Sequence, residues 1–229
     1  MQTIGIIGGM GWESSLHYYE QLNRGVEDRL GGLHSARTVM SSVEFAEVSA
    51  LQAEERWDEI AEILARSARG VEAAGADFLL LATTAFHRVA DQVADAVDIP
   101  LLHLADVLAA SIEEKGLTTV GLLGTSFTMG RQFFSDRLGS HGLKVVVPHP
   151  ERHADLNRII YDELVHGHVV NASRKRVVSV IDELWDAGAQ GVVLGCAELE
   201  MLVHQADAEL PLFGSSALHV AAALDRALA

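Results

Sequence analysis

The only cysteine of the chain, Cys196, lies in the segment GVVLGCAELE, which runs from Gly191 to Glu200. A β-branched run, a glycine and a helix-like continuation are typical of a strand–loop–helix step in an α/β sheet. Side chains at such a step lie at the carboxyl end of a strand, where ligands bind in open α/β folds. The adjacent helix N-terminus is expected to lower the thiol pKa and favour the thiolate. A lone cysteine is also typical of a small buried hydrophobe, and both interpretations stay open on this segment alone.

Thr83 occupies the corresponding position in the first half of the chain. Gly75–Thr83 aligns without a gap with Gly188–Cys196, at an offset of 113 residues. Ile4–Gly8 aligns in the same way with Val120–Gly124, at an offset of 116 residues. Two matched strands per half, in the same order, indicate an internal duplication.

The duplication predicts an α/β fold with two similar Rossmann-like lobes and an active site in the cleft between them. We expect an N-terminal lobe over residues 1–116 and a C-terminal lobe over residues 117–229, with the last helix able to cross back to the first lobe. Thr83 would then approach a bound molecule from one side and Cys196 from the other.

Composition and charge narrow the classes of partner. With 229 residues, 49% of them hydrophobic, the chain can bury a substantial core. Apolar runs such as Phe78–Leu81 are far shorter than the ~18 residues that span a bilayer, and the start MQTIGIIGG lacks the basic segment of a signal peptide. One cysteine suits a reducing cytoplasm. A formal charge of −15 argues against nucleic acid or anionic membrane as a partner.

Short strands and amphipathic helices are predicted to position these residues. In the first lobe the strands are Thr3–Ile7, Thr38–Val43, Phe78–Leu81 and Ile99–His103. Ser14 or Ser15 is expected to cap the first helix, and Leu51–Ala74 has the apolar stripe of one long helix. The turn Gly8–Gly11 would expose backbone N–H groups that can cradle an anion. His87 fits either a cleft residue or a satisfied interfacial histidine.

In the second lobe, Gly124 and Thr125 form the counterpart of that glycine turn. Strands are predicted at Val120–Gly124, Lys144–Val147, Val192–Leu194 and Leu210–Phe213. Ser215 or Ser216 is expected to cap the last helix.

Two stretches resemble ligand-binding motifs, one for a dinucleotide and one for a metal, but neither has all the residues that its motif requires. If Gly9 and Gly11 open a dinucleotide fingerprint, the third glycine falls at Ser14, and the strand-end acid Glu44 is too far on for ribose. The pair His166 and His168 has no accompanying cluster of Cys, Asp or Glu. We therefore expect no nucleotide cofactor and no metal.

Several stretches together resemble the cofactor-independent aspartate/glutamate racemase family. They are Gly8-Gly9-Met10 with Trp12-Glu13-Ser14, then Leu30–Ala36, His87, and Gly195-Cys196-x-Glu198. The resemblance covers essentially the whole chain. It is greatest for the subgroup that has threonine in place of the first catalytic cysteine and acts on L-aspartate and L-glutamate.

This resemblance implies an isomerase, an amino-acid racemase that needs no pyridoxal phosphate. Thr83 and Cys196 would remove and return the α-proton from opposite faces. Inversion through a planar carbanion independently needs a proton acceptor on one face and a donor on the other. The substrate, an amino acid or dicarboxylate, would be held by Met10, Gln52, Thr84, Thr125, Ala197 and Glu198. We expect the chain to be a homodimer.

Some positions depart from the family pattern. Thr84-Ala85 stands where the family usually has Asn-Thr, and Ala197 stands in place of a threonine. Gly214 replaces an acid that close relatives carry after the last strand. Val165 corresponds to a lysine of the two-cysteine aspartate racemases. The identity of the substrate therefore stays open.

Two other functions also stay open. Threonine is a poor second base, so chemistry on one face is an alternative, as in decarboxylases of the arylmalonate type that protonate a carbanion with a single cysteine. A homologue that binds an amino acid or carboxylate without turning it over is the other.

Overall fold

Each half of the chain forms one parallel β-sheet. The computed structural model describes residues 1–229, which pack as two units, residues 1–104 with 219–229 and residues 105–218. The first unit contains strands β1 (Ile4–Gly8), β2 (Thr38–Ser42) and β3 (Phe78–Leu81), and helices α1 (Trp12–Leu30), α2 (Phe45–Ala53), α3 (Trp57–Ala73) and α4 (Ala90–Ala94).

The second unit follows the same alternation of strands and helices. Its helices are α5 (Leu104–Glu114), α6 (Ser126–Gly130), α7 (Gln132–Ser140), α8 (Pro150–Arg158), α9 (Asn171–Asp186) and α10 (Ala197–Leu202). Its strands are β4 (Thr119–Leu123), β5 (Lys144–Val146), β6 (Val192–Leu194) and β7 (Leu212–Gly214). The last helix, α11 (Ser215–Leu228), begins in this unit and continues into the first. No helix combines the length and the apolar composition needed to cross a membrane.

The two sheets have the same strand order. β1 lies between β2 and β3, and β4 lies between β5 and β6, with β7 beside β6. Leu101 forms a single parallel bridge with Leu79, in the place next to β3 that β7 holds next to β6. The prediction of a full strand at Ile99–His103 is wrong, since Pro100 has no N–H to donate and only one bridge forms. The repeated order confirms the predicted α/β fold of two similar lobes.

Glycine in each central strand lets a helix approach the sheet closely. A Cβ at Gly5 would lie 2.4 Å from a side-chain carbon of Val71 in α3, and a Cβ at Gly121 would lie 2.7 Å from one of Leu184 in α9. Val71 and Leu184 are themselves separated by the 113 residues of the duplication. Both units therefore retain the same contact between helix and central strand, and a larger residue at either glycine would push the helix away.

Both faces of the first sheet are buried. Ile4 and Ile6 pack with Leu22 of α1 and Leu224 of α11 on one face, whereas Ile7 packs with residues of α3 on the other. Parallel strands covered on both faces are expected to be apolar throughout, as β1 and β3 are.

The predicted helix over Leu51–Ala74 is in fact two helices. The chain turns between α2 and α3, where Glu55 has a positive φ of 56°. The N–H groups of Glu55 and Arg56 donate to the carbonyls of Gln52 and Leu51, which is the hydrogen-bond pattern of a Schellman motif. Glycine usually occupies this left-handed position. Because glutamate occupies it here, the sequence has no stop signal and the apolar stripe continues across the break.

The serines predicted as helix caps are inside their helices. The cap of α1 is Gly11, with no side-chain hydrogen bond, and Ser15 instead accepts from the backbone N–H of Gly9. Ser215 is the first residue of α11 and Ser216 the second. In both helices the start lies at a glycine, one or more residues before the predicted cap.

A buried histidine links α11 to the first unit. His219 is fully buried, and its Nε2 lies 2.8 Å from the carbonyl oxygen of Leu102, which can only accept, so Nε2 carries the proton. Nδ1 then accepts from the hydroxyl of Tyr18 at 2.9 Å. Burial lowers the pKa of His219 to about 4, with a smaller contribution from His103. The ring is therefore neutral in the folded protein at neutral pH.

Replacing His219 with glutamine should make stability less sensitive to acid. The unfolded chain takes up a proton at the ordinary pKa of 6.5, but the folded chain does so only near 4. Stability is thus lost as pH falls through this window, by about 3 kcal/mol for this group. Urea unfolding between pH 7 and pH 4 should show a shallower loss in His219→Gln than in the wild type. The exposed His149→Gln is the control, and equal slopes for all three proteins would contradict the prediction.

Candidate active site

The residues predicted to act on a substrate lie mostly at the carboxyl edges of the two sheets. In the first unit, Met10 follows β1 and Thr83 follows β3, and these strands pair with Ile7 opposite Leu81. In the second unit, Thr125 follows β4 and Cys196 follows β6, with Leu123 opposite Leu194. Because paired parallel strands end at the same edge, each unit brings its own residues together.

The remaining predicted residues lie in the helices and turns that follow these strands. Gln52 is half-buried in the last turn of α2. Thr84 precedes a 3-10 turn at Ala85–Val89, and its carbonyl accepts from the N–H of His87. Ala197 and Glu198 form the first turn of α10.

The turn after β1 is less open than the sequence suggested. Gly9 has a φ of 95°, and a Cβ there would lie 2.3 Å from the carbonyl oxygen of Val43. Its N–H donates to the hydroxyl of Ser15 at 2.8 Å. The expectation that Gly9 offers a free donor to an anion is therefore wrong. The side chain of Met10 is 6% exposed and packs in the core, which leaves its backbone to meet a ligand.

The backbone around Thr83 is held by two side chains. The hydroxyl of Ser14 donates to the carbonyl of Ala82 at 3.1 Å. Nδ1 of His87 lies 2.6 Å from the carbonyl oxygen of Thr83, and Nε2 accepts from the N–H of Leu104 at 3.2 Å. His87 is thus a neutral ring that donates through Nδ1, as expected of a satisfied histidine. No hydrogen bond is made by the hydroxyl of Thr83 itself.

In the second unit, Thr125 is the N-cap residue of α6. Its hydroxyl accepts from the N–H of Thr128 at 3.3 Å and so caps α6. The N–H of Gly195 donates to the carbonyl of Leu123 at 2.6 Å, which fixes the turn before Cys196 to the end of β4.

Cys196 is a partly exposed residue with an extended backbone, directly before α10. Burial raises the pKa of its thiol, the negative charge of Glu198 raises it further, and the N–H of Leu199 opposes both. The prediction of a lowered thiol pKa is therefore wrong. The helix is only six residues long and has two carboxylates in its first turn, so its dipole is outweighed. Val165 packs against the hydrophobic core of the second unit and carries no charge.

Tyr161, for which no role is predicted from the sequence, lies near enough to Cys196 to be affected by its charge. It lies in a π-helical turn at Ile159–Glu163, a form of helix often found at functional sites. Burial raises the pKa of its phenol, and the charges of Cys196 and Glu198 raise it further. Nothing in the segment IIYDE indicates this turn, because each of its residues also fits an ordinary α-helix.

The rings of His166 and His168 lie 6.3 Å apart. No three side chains of the His, Cys, Asp or Glu type come close enough together to hold a metal ion.

Comparison with known proteins identifies the class to which this fold and this site belong. The chain is a member of the Asp/Glu/hydantoin racemase family, whose sequence model matches residues 7–223. It is similar to a candidate Asp/Glu racemase from Yersinia pestis, with 41% identity, coverage of 100% of both chains and a TM-score of 0.95. An aspartate racemase homologue from Pyrococcus horikoshii OT3 is 33% identical, with coverage of 100% of both chains and a TM-score of 0.91.

The fold extends to more distant proteins. A variant of arylmalonate decarboxylase shares it at 14% identity and a TM-score of 0.53, over 98% of this chain and 92% of that one. At this identity the likeness concerns the fold alone.

Replacing Glu198 with glutamine should lower the pKa of Cys196, because the variant removes a negative charge that disfavours the thiolate. Cys196 is the only cysteine, so alkylation by iodoacetamide reports on this thiol alone. The wild-type rate should rise only at a pH above the ordinary thiol range, and the rise should occur at lower pH in Glu198→Gln. The exposed Glu209→Gln is the control. An unshifted profile in Glu198→Gln would show that Glu198 does not act on the thiol.

Proposed function

We propose that this chain is an amino-acid racemase that works without pyridoxal phosphate, with Cys196 as the principal acid/base residue and Thr83 as its partner. One observation carries the proposal: each is the second residue after the end of β3 or β6, in sheets of the same strand order. The family match and the two close structural relatives support the racemase chemistry. Aspartate and glutamate are the first substrates to test.

The proposed reaction begins with the Cys196 thiolate. The thiolate takes the α-proton, so the C–H bond breaks, an S–H bond forms, and the electron pair is delocalised from the α carbon into the carboxylate. Thr83 then gives its hydroxyl proton to the opposite face of the planar carbanion as the O–H bond breaks and a new C–H bond forms. Solvent returns a proton to the Thr83 oxygen and accepts the proton from Cys196, which restores the hydroxyl and the thiolate. The raised thiol pKa means that the reactive thiolate is scarce at neutral pH and increases as the pH rises.

The other predicted residues are proposed to bind the substrate. Thr84 and Thr125 can donate hydroxyl protons to a carboxylate, and the amide of Gln52 can do the same. Glu198 can accept hydrogen bonds from the ammonium group. Because the chain has a charge of −15, an anionic amino acid must be held by such local donors against the overall field.

We also propose that the chain works as a homodimer in the reducing cytoplasm. The exposed apolar side chains of Trp12, Leu16 and Tyr19 lie at helical spacing on α1 and supply surface for self-association. A single cysteine without a disulfide partner suits a reducing compartment.

The racemase proposal predicts exchange of the α-proton with solvent. A panel of L- and D-amino acids and 2-substituted malonates, incubated in deuterated water without added cofactor, should show α-deuteration together with inversion for at least one amino acid. Cys196→Ala should reduce this exchange at least 100-fold. Ser140→Ala, an exposed residue on α7, is the control for handling effects. Ligand-induced stabilisation with no turnover of any member of the panel would instead indicate a binding protein.

The second candidate function is a reaction in which a proton is delivered to only one face of the α carbon, as in a decarboxylase. Two observations favour it. The hydroxyl of Thr83 has no hydrogen-bonded base to activate it. A thiol with a raised pKa is largely protonated at neutral pH, which suits a donor that protonates a carbanion after decarboxylation. In the same panel, release of carbon dioxide from malonates, or α-deuteration with retained configuration, would identify this function.

The variant Thr83→Cys tests the two-face mechanism directly. The change is nearly isosteric, and a thiol with an ordinary pKa near 8.5 is a far better base than a hydroxyl. We expect the initial rate of deuterium exchange to rise at least tenfold for the enantiomer whose α-hydrogen faces residue 83. The opposite enantiomer, deprotonated by Cys196, should change much less.

Ser140→Cys is the control for this variant, since it adds a thiol at an exposed position on α7 that has no proposed role in binding or catalysis. Equal effects of Thr83→Cys on both enantiomers, or no effect on either, would remove Thr83 from the catalytic pair.

A further inference from the structure

Glu200 of α10 has its carboxylate at the start of α11. Oε1 accepts from the N–H of Ser216 at 2.7 Å, from the hydroxyl of Ser216 at 2.8 Å and from the hydroxyl of Ser215 at 3.5 Å. Oε2 accepts from the N–H of Ala217 at 3.2 Å. Both serines are 2% exposed, so these donors have little access to water. One carboxylate therefore satisfies four groups in the first turn of another helix.

These contacts are the ones that a cap residue normally makes. The residue before α11 is Gly214, which has no side chain. A capping side chain at that position accepts from the second and third N–H groups of the helix, which here belong to Ser216 and Ala217. A Cβ at Gly214 would lie 2.6 Å from Oε2 of Glu200. Glu200 and a side chain at position 214 thus compete for the same space and the same donors.

The location of these contacts connects them to Cys196. Gly214 ends β7 and pairs with Leu194, two residues before Cys196. Glu200 lies four residues after Cys196, in the short helix that Cys196 begins. α10 has only six residues, so its own hydrogen bonds hold it weakly. The carboxylate joins this helix to the first turn of α11, directly after β7.

We propose that Glu200 is a positioning residue for Cys196: its carboxylate caps α11 from α10 and thereby holds the helix that begins directly after the thiol. The value of this position for catalysis rests on the proposed function, but the contacts and their test do not. Burying a carboxylate is costly, and removing one that is bound by four donors leaves those donors unsatisfied.

The first measurement separates capping from other effects. Glu200→Ala should lower the midpoint of thermal unfolding by about 5–10 °C, because the start of α11 loses its acceptor. Gly214→Asp in the presence of Glu200 should also destabilise, because the two carboxylates collide. The double variant Glu200→Ala with Gly214→Asp should recover most of the thermal midpoint lost in Glu200→Ala. Aspartate at the cap position can accept from the N–H groups of Ser216 and Ala217. Glu209→Ala, at an exposed carboxylate, is the control.

The second measurement reports the position of the Cys196 thiol, which would not change if Glu200 only capped α11. Cys196 is the only cysteine, so its alkylation rate by iodoacetamide follows the thiol without any assumption about substrate. We expect the rate to rise about threefold or more in Glu200→Ala and to stay raised in the double variant, because Asp at 214 restores the cap but does not hold α10. Glu200→Gln keeps an acceptor for Ser216 without the charge. Because the charge of Glu200 makes only the smallest contribution to the raised pKa of Cys196, the rate should rise much less in Glu200→Gln than in Glu200→Ala.

Any one of four results would overturn the proposal. An unchanged midpoint of thermal unfolding in Glu200→Ala would show that Glu200 does not cap α11. A double variant with both a wild-type midpoint and a wild-type alkylation rate shows that Glu200 only caps α11. A rate raised as much in Glu200→Gln as in Glu200→Ala assigns the effect to charge. If Glu200→Ala does not fold, the double variant decides: a near-wild-type midpoint with raised alkylation supports the proposal, and a double variant that does not fold overturns it.

Discussion

The close packing of one helix on the central strand of each sheet sets the position of the residues that follow the neighbouring strands, among them Thr83 and Cys196, the proposed acid/base pair. Gly5 admits Val71 of α3, and Gly121 admits the equivalent residue of α9. Each helix then ends at a glycine, Gly75 or Gly188, with φ values of 93° and 94°. The chain returns immediately into β3 or β6. The register of each edge residue is thus fixed by a contact that lies far from it along the chain.

The electrostatic setting of Cys196 is the feature that most constrains the chemistry. The thiol is desolvated, and the negative charge of Glu198 raises its pKa further. These conditions favour the protonated form. On the other sheet, Thr83 has a hydroxyl without a base. In the proposed function, Cys196 and Thr83 therefore both rest in their protonated states at neutral pH, which suits proton donation more readily than proton abstraction.

Sequence reasoning succeeded where a pattern is local and repeated. Strands β1, β3, β4 and β6 and the duplication follow from apolar runs and glycines at constant offsets, and the two similar sheets confirm the two-lobe fold. The family follows from the resemblance of particular motifs such as Gly195-Cys196-x-Glu198, and the family match confirms it. It failed where a local signal was outweighed by a distant group. Glu55 takes a position that usually needs glycine, so the break between α2 and α3 has no sign in the sequence. The raised thiol pKa depends on burial, which no nearby residue reveals.

The same reason explains why Glu200 could not be found from the sequence. Its four donors lie 15 to 17 residues away, and the one local indication is the lack of a side chain at Gly214. His87 and His219 also join separate segments of the chain. His87 bonds the backbone of Thr83 and of Leu104 through its two ring nitrogens. His219 bonds the carbonyl of Leu102 through one ring nitrogen and the hydroxyl of Tyr18 through the other. In each of the three cases a buried polar side chain is kept in one protonation or tautomeric state by its partners. Side chains held in this way cannot also exchange protons with a substrate without breaking those bonds.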